Sequence, residues 1–144
     1  MFYAIYDAEG RIIQGNKVFW NGEEELTKHE LNLNDMEQKF VKKDALHVLS
    51  PDHYFVKRKR LKERPNLFVT VSANTIKAGG TESAVLRGIP KGARYFITTG
   101  GIEVAQGVME DTEIEIFIPV PCIYRVTLDM WPYQTFRTDI EAVA

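Results

Sequence analysis

The sequence predicts a mainly β protein: an antiparallel β-sandwich over residues 67–144, preceded over residues 1–66 by a β-rich N-terminal segment with a hairpin. Three observations predict it. From Thr112 to Met130 apolar and polar residues alternate across a proline corner, with Ile114, Ile116 and Ile118 opposite Glu113, Glu115 and Phe117. After the corner Tyr124, Val126, Leu128 and Met130 alternate with Arg125, Thr127 and Asp129. That is period 2, the signature of a strand with one buried face. Turn signals recur from Leu67 onward at roughly the 8 to 12-residue spacing of a sandwich, and Gly100-Gly101 between two β-favouring runs is a hairpin signal.

Taken in order, Phe2 to Asp7 is apolar and aromatic, Ala8-Glu9-Gly10 has turn composition, and Arg11 to Val18 carries Ile12, Ile13 and Val18. This predicts a hairpin, which alone is marginal, so Tyr3, Ile5 and Ile13 are expected to cover the main body or a neighbouring chain. Trp20-Asn21-Gly22 offers another turn. Between Thr27 and Asp44, Leu33, Met36 and Phe40 fit a short helix at i, i+3, i+7 with Asn34 or Asp35 as N-cap, while Leu31 and Leu33 fit a strand equally well. Ala45 to Leu49 is short and apolar, Ser50-Pro51-Asp52 reads as a turn, and Tyr54 to Leu61 as one β-favouring run that turns basic.

From Lys57 to Arg64 the order is K-R-K-R-L-K-E-R, six cations against one anion and the main charge cluster of the chain. Two readings compete: a contact for nucleic acid or another anionic polymer, or an exposed strand edge whose charges prevent aggregation. Aromatic residues are not interleaved among the charges, and the whole chain carries a net charge of -2. Both points favour the edge, or an acidic surface on a neighbouring subunit, over nucleic acid.

Beyond Arg64-Pro65-Asn66 the predicted strands are Leu67 to Val71, Thr75 to Ala78, Ser83 to Arg87, Tyr95 to Thr98, Ile102 to Ala105, the two of the opening alternation, and Thr135 to Val143. Gly79-Gly80, Gly88, Pro90 and Gly92 punctuate them. Tyr124, at the start of a late strand after Pro119-Val120-Pro121, matches the tyrosine corner of immunoglobulin-like sandwiches. The sandwich is therefore expected to be immunoglobulin-like, with Tyr124 as its structural corner.

Catalytic chemistry is not signalled. His29, His47 and His53 fall in three different predicted elements and form no metal-ligand pair, no serine sits in a G-x-S-x-G elbow, and Cys122 reads as a packed structural thiol. The two Gly-Gly pairs are hairpin glycines without the following helix that would bind phosphate. The expectation is a non-enzyme with no metal and no cofactor. With a single cysteine no intramolecular disulfide forms, and the N-terminal residues lack signal-peptide character, so a soluble, cytoplasmically made protein with no membrane partner is expected.

The segment I-K-A-G-G-T-E-S-A-V-L-R-G-I-P-K-G-A from Ile76 to Ala93, the I-P-V-P-C-I-Y-R-V-T-L segment, W-P-Y and the terminal T-D-I-E-A-V-A resemble small structural proteins of tailed bacteriophages and prophages. So do the opening Y-A-I-Y-D-A-E-G-R-I-I and the run Y-F-V-K-R-K-R-L-K-E-R-P. The related patterns have glycine before the tyrosine corner, where this chain has Cys122 and Ile123. The resemblance implies a tail- or virion-associated component with an immunoglobulin-like C-terminal domain, a homo-oligomer built into an assembly with other phage structural proteins. It would reside in the virion, or in the bacterial cytoplasm when expressed from a prophage. Candidate partner contacts are Lys57, Arg58, Lys59 and Arg60 with Trp131 and Tyr133. The alternative function is a carbohydrate-binding module that stacks sugars on Trp131, Tyr133 or Trp20.

Overall fold

The structure is a computed structural model that describes residues 1–17, 29–30, 32–34, 38–43 and 49–144. Trp20, Leu31, Asp35, Met36 and His47 lie outside the described residues, and with them the expected turn at 20–22 and most of the apolar stretch 45–49. The chain divides into two compact units, Met1–Arg64 and Pro65–Ala144. It is mainly β, with antiparallel sheets throughout and one parallel pairing.

In the N-terminal unit, β1 (Phe2–Tyr6) and β2 (Ile12–Lys17) form the expected hairpin. Asp7 organises its turn: one carboxylate oxygen accepts the N–H groups of Glu9 and Arg11, at 3.0 and 2.9 Å, as Asp does in an Asx-turn. β3 (Phe40–Lys43) pairs on the other side of β1, so β1 is central to a three-stranded sheet in the order β2-β1-β3. Phe2, Tyr3, Ala4 and Ile5 are 0, 0, 0 and 1 % exposed. Phe2 and Ala4 pack with Ile12 and Val56 on one side, and Tyr3 and Ile5 with Leu33 on the other.

The hairpin is thus the centre of a unit with its own core, which corrects the expectation that it covers a body elsewhere. Ile13 lies 63 % exposed and joins neither cluster. Residues 29–30 and 32–34 are helical, so Asn34 lies inside that turn of helix and is not its N-cap. Phe40 belongs to β3.

Ser50 to His53 turns as expected, with the Ser50 carbonyl accepting from the N–H groups of His53 and Tyr54. The run from Tyr54 is not one strand but two: β4 (Tyr54–Lys57) and β5 (Arg60–Glu63), antiparallel with Val56 opposite Leu61 and Lys57 opposite Arg60. Gly10 locks this hairpin to the first. Its φ is +84° and its carbonyl accepts the Val56 N–H at 2.8 Å, and a Cβ placed on Gly10 would lie 2.0 Å from the Val56 carbonyl oxygen. Only glycine permits that approach.

The C-terminal unit holds eight strands: β6 (Thr70–Val71), β7 (Thr75–Lys77), β8 (Ala84–Arg87), β9 (Arg94–Thr99), β10 (Ile102–Val108), β11 (Glu113–Ile116), β12 (Cys122–Asp129) and β13 (Phe136–Val143). They form a five-stranded sheet in the order β10-β9-β12-β13-β7 and a three-stranded sheet in the order β11-β8-β6. Leu86 and Ile116 from the smaller sheet share one cluster with Ile97, Tyr124, Val126, Leu128 and Ile140 from the larger, so the two sheets pack face to face as a β-sandwich.

The alternation from Thr112 to Met130 resolves into β11 and β12, which lie in different sheets, and the prolines mark the crossing between them. Ile116, Ile118, Val126 and Leu128 are buried while Glu113, Glu115, Arg125 and Asp129 are exposed. The first predicted strand of this unit is shorter than its β-propensity suggests. Leu67 is buried but Phe68 points out, 88 % exposed, and only Thr70–Val71 pairs with β8.

Candidate functional site

Among the predicted contact residues, Lys57, Arg58, Lys59 and Arg60 come together at the tip of the β4–β5 hairpin. Lys57 and Arg60 are the last cross-strand pair, and Arg58 and Lys59 are the two turn residues, with φ of +52° and +59°. Positive φ at both central residues is the pattern of a type I′ turn, which normally takes Asn-Gly or Gly-Gly. A left-handed backbone costs a residue with a Cβ roughly 1–2 kcal/mol. Val56 and Leu61 on one side of the hairpin pack into the unit's core cluster, and Lys57, Arg60 and Lys62 project on the other. All five cations from Lys57 to Lys62 are exposed, and none joins an ion pair among the described residues.

The run is therefore a cationic hairpin tip rather than charges spaced along one strand edge. The apolar pattern does not signal the turn, since Phe55 and Leu61, six positions apart, keep the parity of a continuous strand.

A second surface, which sequence reasoning missed, is the open side of the sandwich. β10 is the outer strand of the five-stranded sheet and β11 the outer strand of the three-stranded sheet. A hollow between them is lined by Tyr95, Ala105, Gly107, Val108, Glu113 and Ile114. Along β10, Ile102, Val104 and Val108 are 70, 45 and 55 % exposed. The β9–β10 register slips at Val104 between Glu103 and Ala105, a bulge that re-aims the strand. The Tyr95 ring lies across Gly107, its hydroxyl 2.7 Å from where a Cβ on Gly107 would sit, which supports the glycine in this edge strand. No feature of the I-E-V-A-Q-G-V segment itself says that its strand lies at an edge. That follows from sheet order alone.

The remaining candidates are dispersed. Tyr124 is buried in the core cluster opposite Ile140, and no hydrogen bond from its hydroxyl to a backbone carbonyl is found among the described residues. Trp131 and Tyr133 are half-buried, and Tyr133 packs against the core. Trp20 lies outside the described residues. Cys122 is half-buried, its thiol donating to the Val120 carbonyl at 3.3 Å. Among the described residues no group of three His, Cys, Asp or Glu side chains could hold a metal ion, and no helix is long and apolar enough to cross a membrane.

Two electrostatic features stand out. On the outer face of the five-stranded sheet, Arg125 donates from Nε and Nη2 to the two carboxylate oxygens of Asp139, its cross-strand partner, at 3.0 and 3.4 Å. That hydrogen bond, and then the guanidinium charge, hold the Asp139 carboxyl below its ordinary 3.8. In the N-terminal unit the hydroxyl of Tyr3 and Nε2 of His29 are buried without hydrogen-bond partners among the described residues, their rings edge to face at 4.6 Å. Burial, and then the charge of Glu30, raise the Tyr3 phenol above 10.0.

Compared with protein-family models, with characterised proteins and with solved structures, the chain matches none.

Proposed function

We propose that the protein is a non-enzymatic structural or assembly component of a bacteriophage or prophage particle, tail- or virion-associated, acting through protein–protein contacts. The observation that carries this reading is β10, a seven-residue outer strand with Ile102, Val104 and Val108 facing solvent. An outer strand presents a row of unpaired N–H and C=O groups and recruits another strand unless it is short, charged, proline-bearing or covered. β10 has one charge, Glu103, and no proline. Its bulge limits indiscriminate pairing and leaves the apolar side chains available to a fitted partner, which is the physics of assembly by strand addition.

The C-terminal unit reads as immunoglobulin-like on its strand order. β6, β8 and β11 take the places of strands A, B and E, and β9, β12 and β13 those of C, F and G, with β10 beside C. This assignment rests on topology, and Tyr124 contributes to it as a core residue rather than through a corner hydrogen bond. In the constant-type arrangement a fourth strand covers E. Here β11 is outermost, so a partner strand has two adjacent edges to join. The particle context comes from the sequence resemblance. Carbohydrate stacking is the weaker reading, since Trp131 and Tyr133 are half-buried.

Sedimentation velocity tests the proposal. The wild type self-associates as concentration rises, or captures co-expressed tail proteins, and Val104→Lys/Val108→Lys abolishes both while its circular dichroism stays that of a folded β protein. A wild type that remains monomeric at high concentration and captures no tail protein sinks the reading.

A further inference from the structure

We propose that the tip of the β4–β5 hairpin is a contact site for the phosphodiester backbone of nucleic acid, read without base specificity. Five cations, Lys57, Arg58, Lys59, Arg60 and Lys62, occupy six consecutive positions, and the register gathers the first four at the tip of a two-stranded ribbon with Lys62 farther back on the same face as Lys57 and Arg60. Elsewhere in the chain four exposed cations hold carboxylates, Arg11 with Glu9, Lys42 with Glu30, Arg87 with Glu113 and Arg125 with Asp139, while Lys39, Lys43, Lys77, Lys91, Arg94 and Arg137 are exposed without a carboxylate among the described residues but form no cluster of five. The five of the hairpin have no carboxylate partner among the described residues. Gathering unneutralised like charges within a Debye length opposes folding, so the cluster is explained by an external anion rather than by the unit's stability.

The turn supports the same conclusion. The β9–β10 hairpin also turns through two residues of positive φ, Gly100 and Gly101 at +55° and +79°, with Thr99 opposite Ile102. The chain therefore makes this turn with the residues that suit it in one unit, and in the other places Arg58 and Lys59 in the same conformation. Geometry does not demand their side chains. Their charge at the extreme tip is what the substitution for glycine adds.

The chemistry of the surface selects phosphate over an acidic protein. Protein interfaces draw their affinity from buried aromatic and apolar anchors in pockets, and this hairpin turns Val56 and Leu61 to the core cluster and keeps Phe55, beside Lys62 on the cationic face, 8 % exposed, so the large exposed side chains near the turn are the cations. A nucleic acid carries one negative charge per ~1.7 Å of duplex and rewards clustered cations by counterion release, with no pocket required. The absence of an exposed aromatic on the hairpin excludes base stacking from this site, so the contact positions the chain on a backbone and does not read sequence.

Fluorescence anisotropy with a labelled duplex of about 20 base pairs and arbitrary sequence, titrated from about 50 to 200 mM NaCl, tests this. The wild type is expected to bind with a log–log salt slope of about −4, the value for four to five phosphate contacts. Arg58→Asn/Lys59→Gly removes two charges and installs the dipeptide this turn prefers. It is expected to lower affinity at least tenfold at about 50 mM salt and to flatten the slope by about 2, while its thermal midpoint holds or rises. Lys57→Gln/Arg60→Gln, which leaves the turn residues untouched, gives the same loss if the charges act together. No binding at about 50 mM salt, or unchanged affinity in both double variants, overturns the proposal. Tighter binding to poly-L-glutamate than to the duplex overturns it in favour of an acidic protein surface.

Discussion

Strand β1 of the N-terminal unit is buried on both faces, whereas β12 of the C-terminal unit is buried on one. In β1 every residue from Phe2 to Ile5 is inside, split between two small clusters either side of the sheet. In β12 Tyr124, Val126 and Leu128 face a single large cluster and Arg125, Thr127 and Asp129 face away. The difference follows from what covers each sheet. The β1 sheet has Val56 against one face and Leu33 against the other, while the larger C-terminal sheet meets its partner sheet on one face only. A core divided into two small clusters depends heavily on each clamp that holds it, and a single large cluster distributes the same burden over many side chains.

Gly10→Ala gives the largest expected effect. The added Cβ collides with the Val56 carbonyl at a φ that disfavours it, and a loss of about 3–5 kcal/mol is expected. Native-state hydrogen exchange should show protection lost from β1 to β5 and retained in β8, β12 and β13. Equal loss in both units would break the comparison.

Leu128→Ala probes the other core. Leu128 is fully buried, and truncation should cost about 2–4 kcal/mol as read by urea denaturation, with exchange protection falling in the C-terminal strands and not in β1.

Tyr3→Phe has the opposite sign. It deletes a buried hydroxyl that has no partner among the described residues, and removing such a group should stabilise by about 1 kcal/mol or leave stability unchanged. The pH dependence sharpens this. Because the folded phenol lies above 10.0, the unfolded chain releases its proton first as pH rises through 10.0, so stability is full below that pH and falls above it. The variant should lose that component of the alkaline decline. A steeper decline in Tyr3→Phe would show that the hydroxyl is partnered in solution.

Arg125→Gln should give the smallest effect, because the pair is on the exposed face and such pairs contribute little. Its measurable consequence is the Asp139 titration by NMR, which should move up toward 3.8. The sign follows from linkage: a folded carboxyl held low contributes stability above 3.8 that is lost as pH falls through its folded value. An unmoved titration would show that the Arg125–Asp139 hydrogen bond does not persist in solution.

Local alternation and turn chemistry were enough to determine the β class, the β1–β2 and β9–β10 hairpins, and the inward set Ile116, Ile118, Val126 and Leu128. Each of these depends on side chains two positions apart or on a turn residue's own φ preference. The Arg58-Lys59 turn escaped because its residues oppose its conformation and because Phe55 and Leu61, six positions apart, fit a continuous strand. The double burial of β1 also escaped, since an unbroken apolar run does not say what lies on its second face.

Sheet order is a property of pairings between distant segments. Only the tertiary structure could therefore decide that β10 is outermost, that the prolines after β11 carry the chain from one sheet to the other, and that the basic run is a tip. Period-2 patterning specifies which face of a strand is dry and carries no information about which strand lies beside it. That is why most strands and the basic run of this protein could be read from its sequence, whereas the tip shape of that run and the outer position of β10 could not.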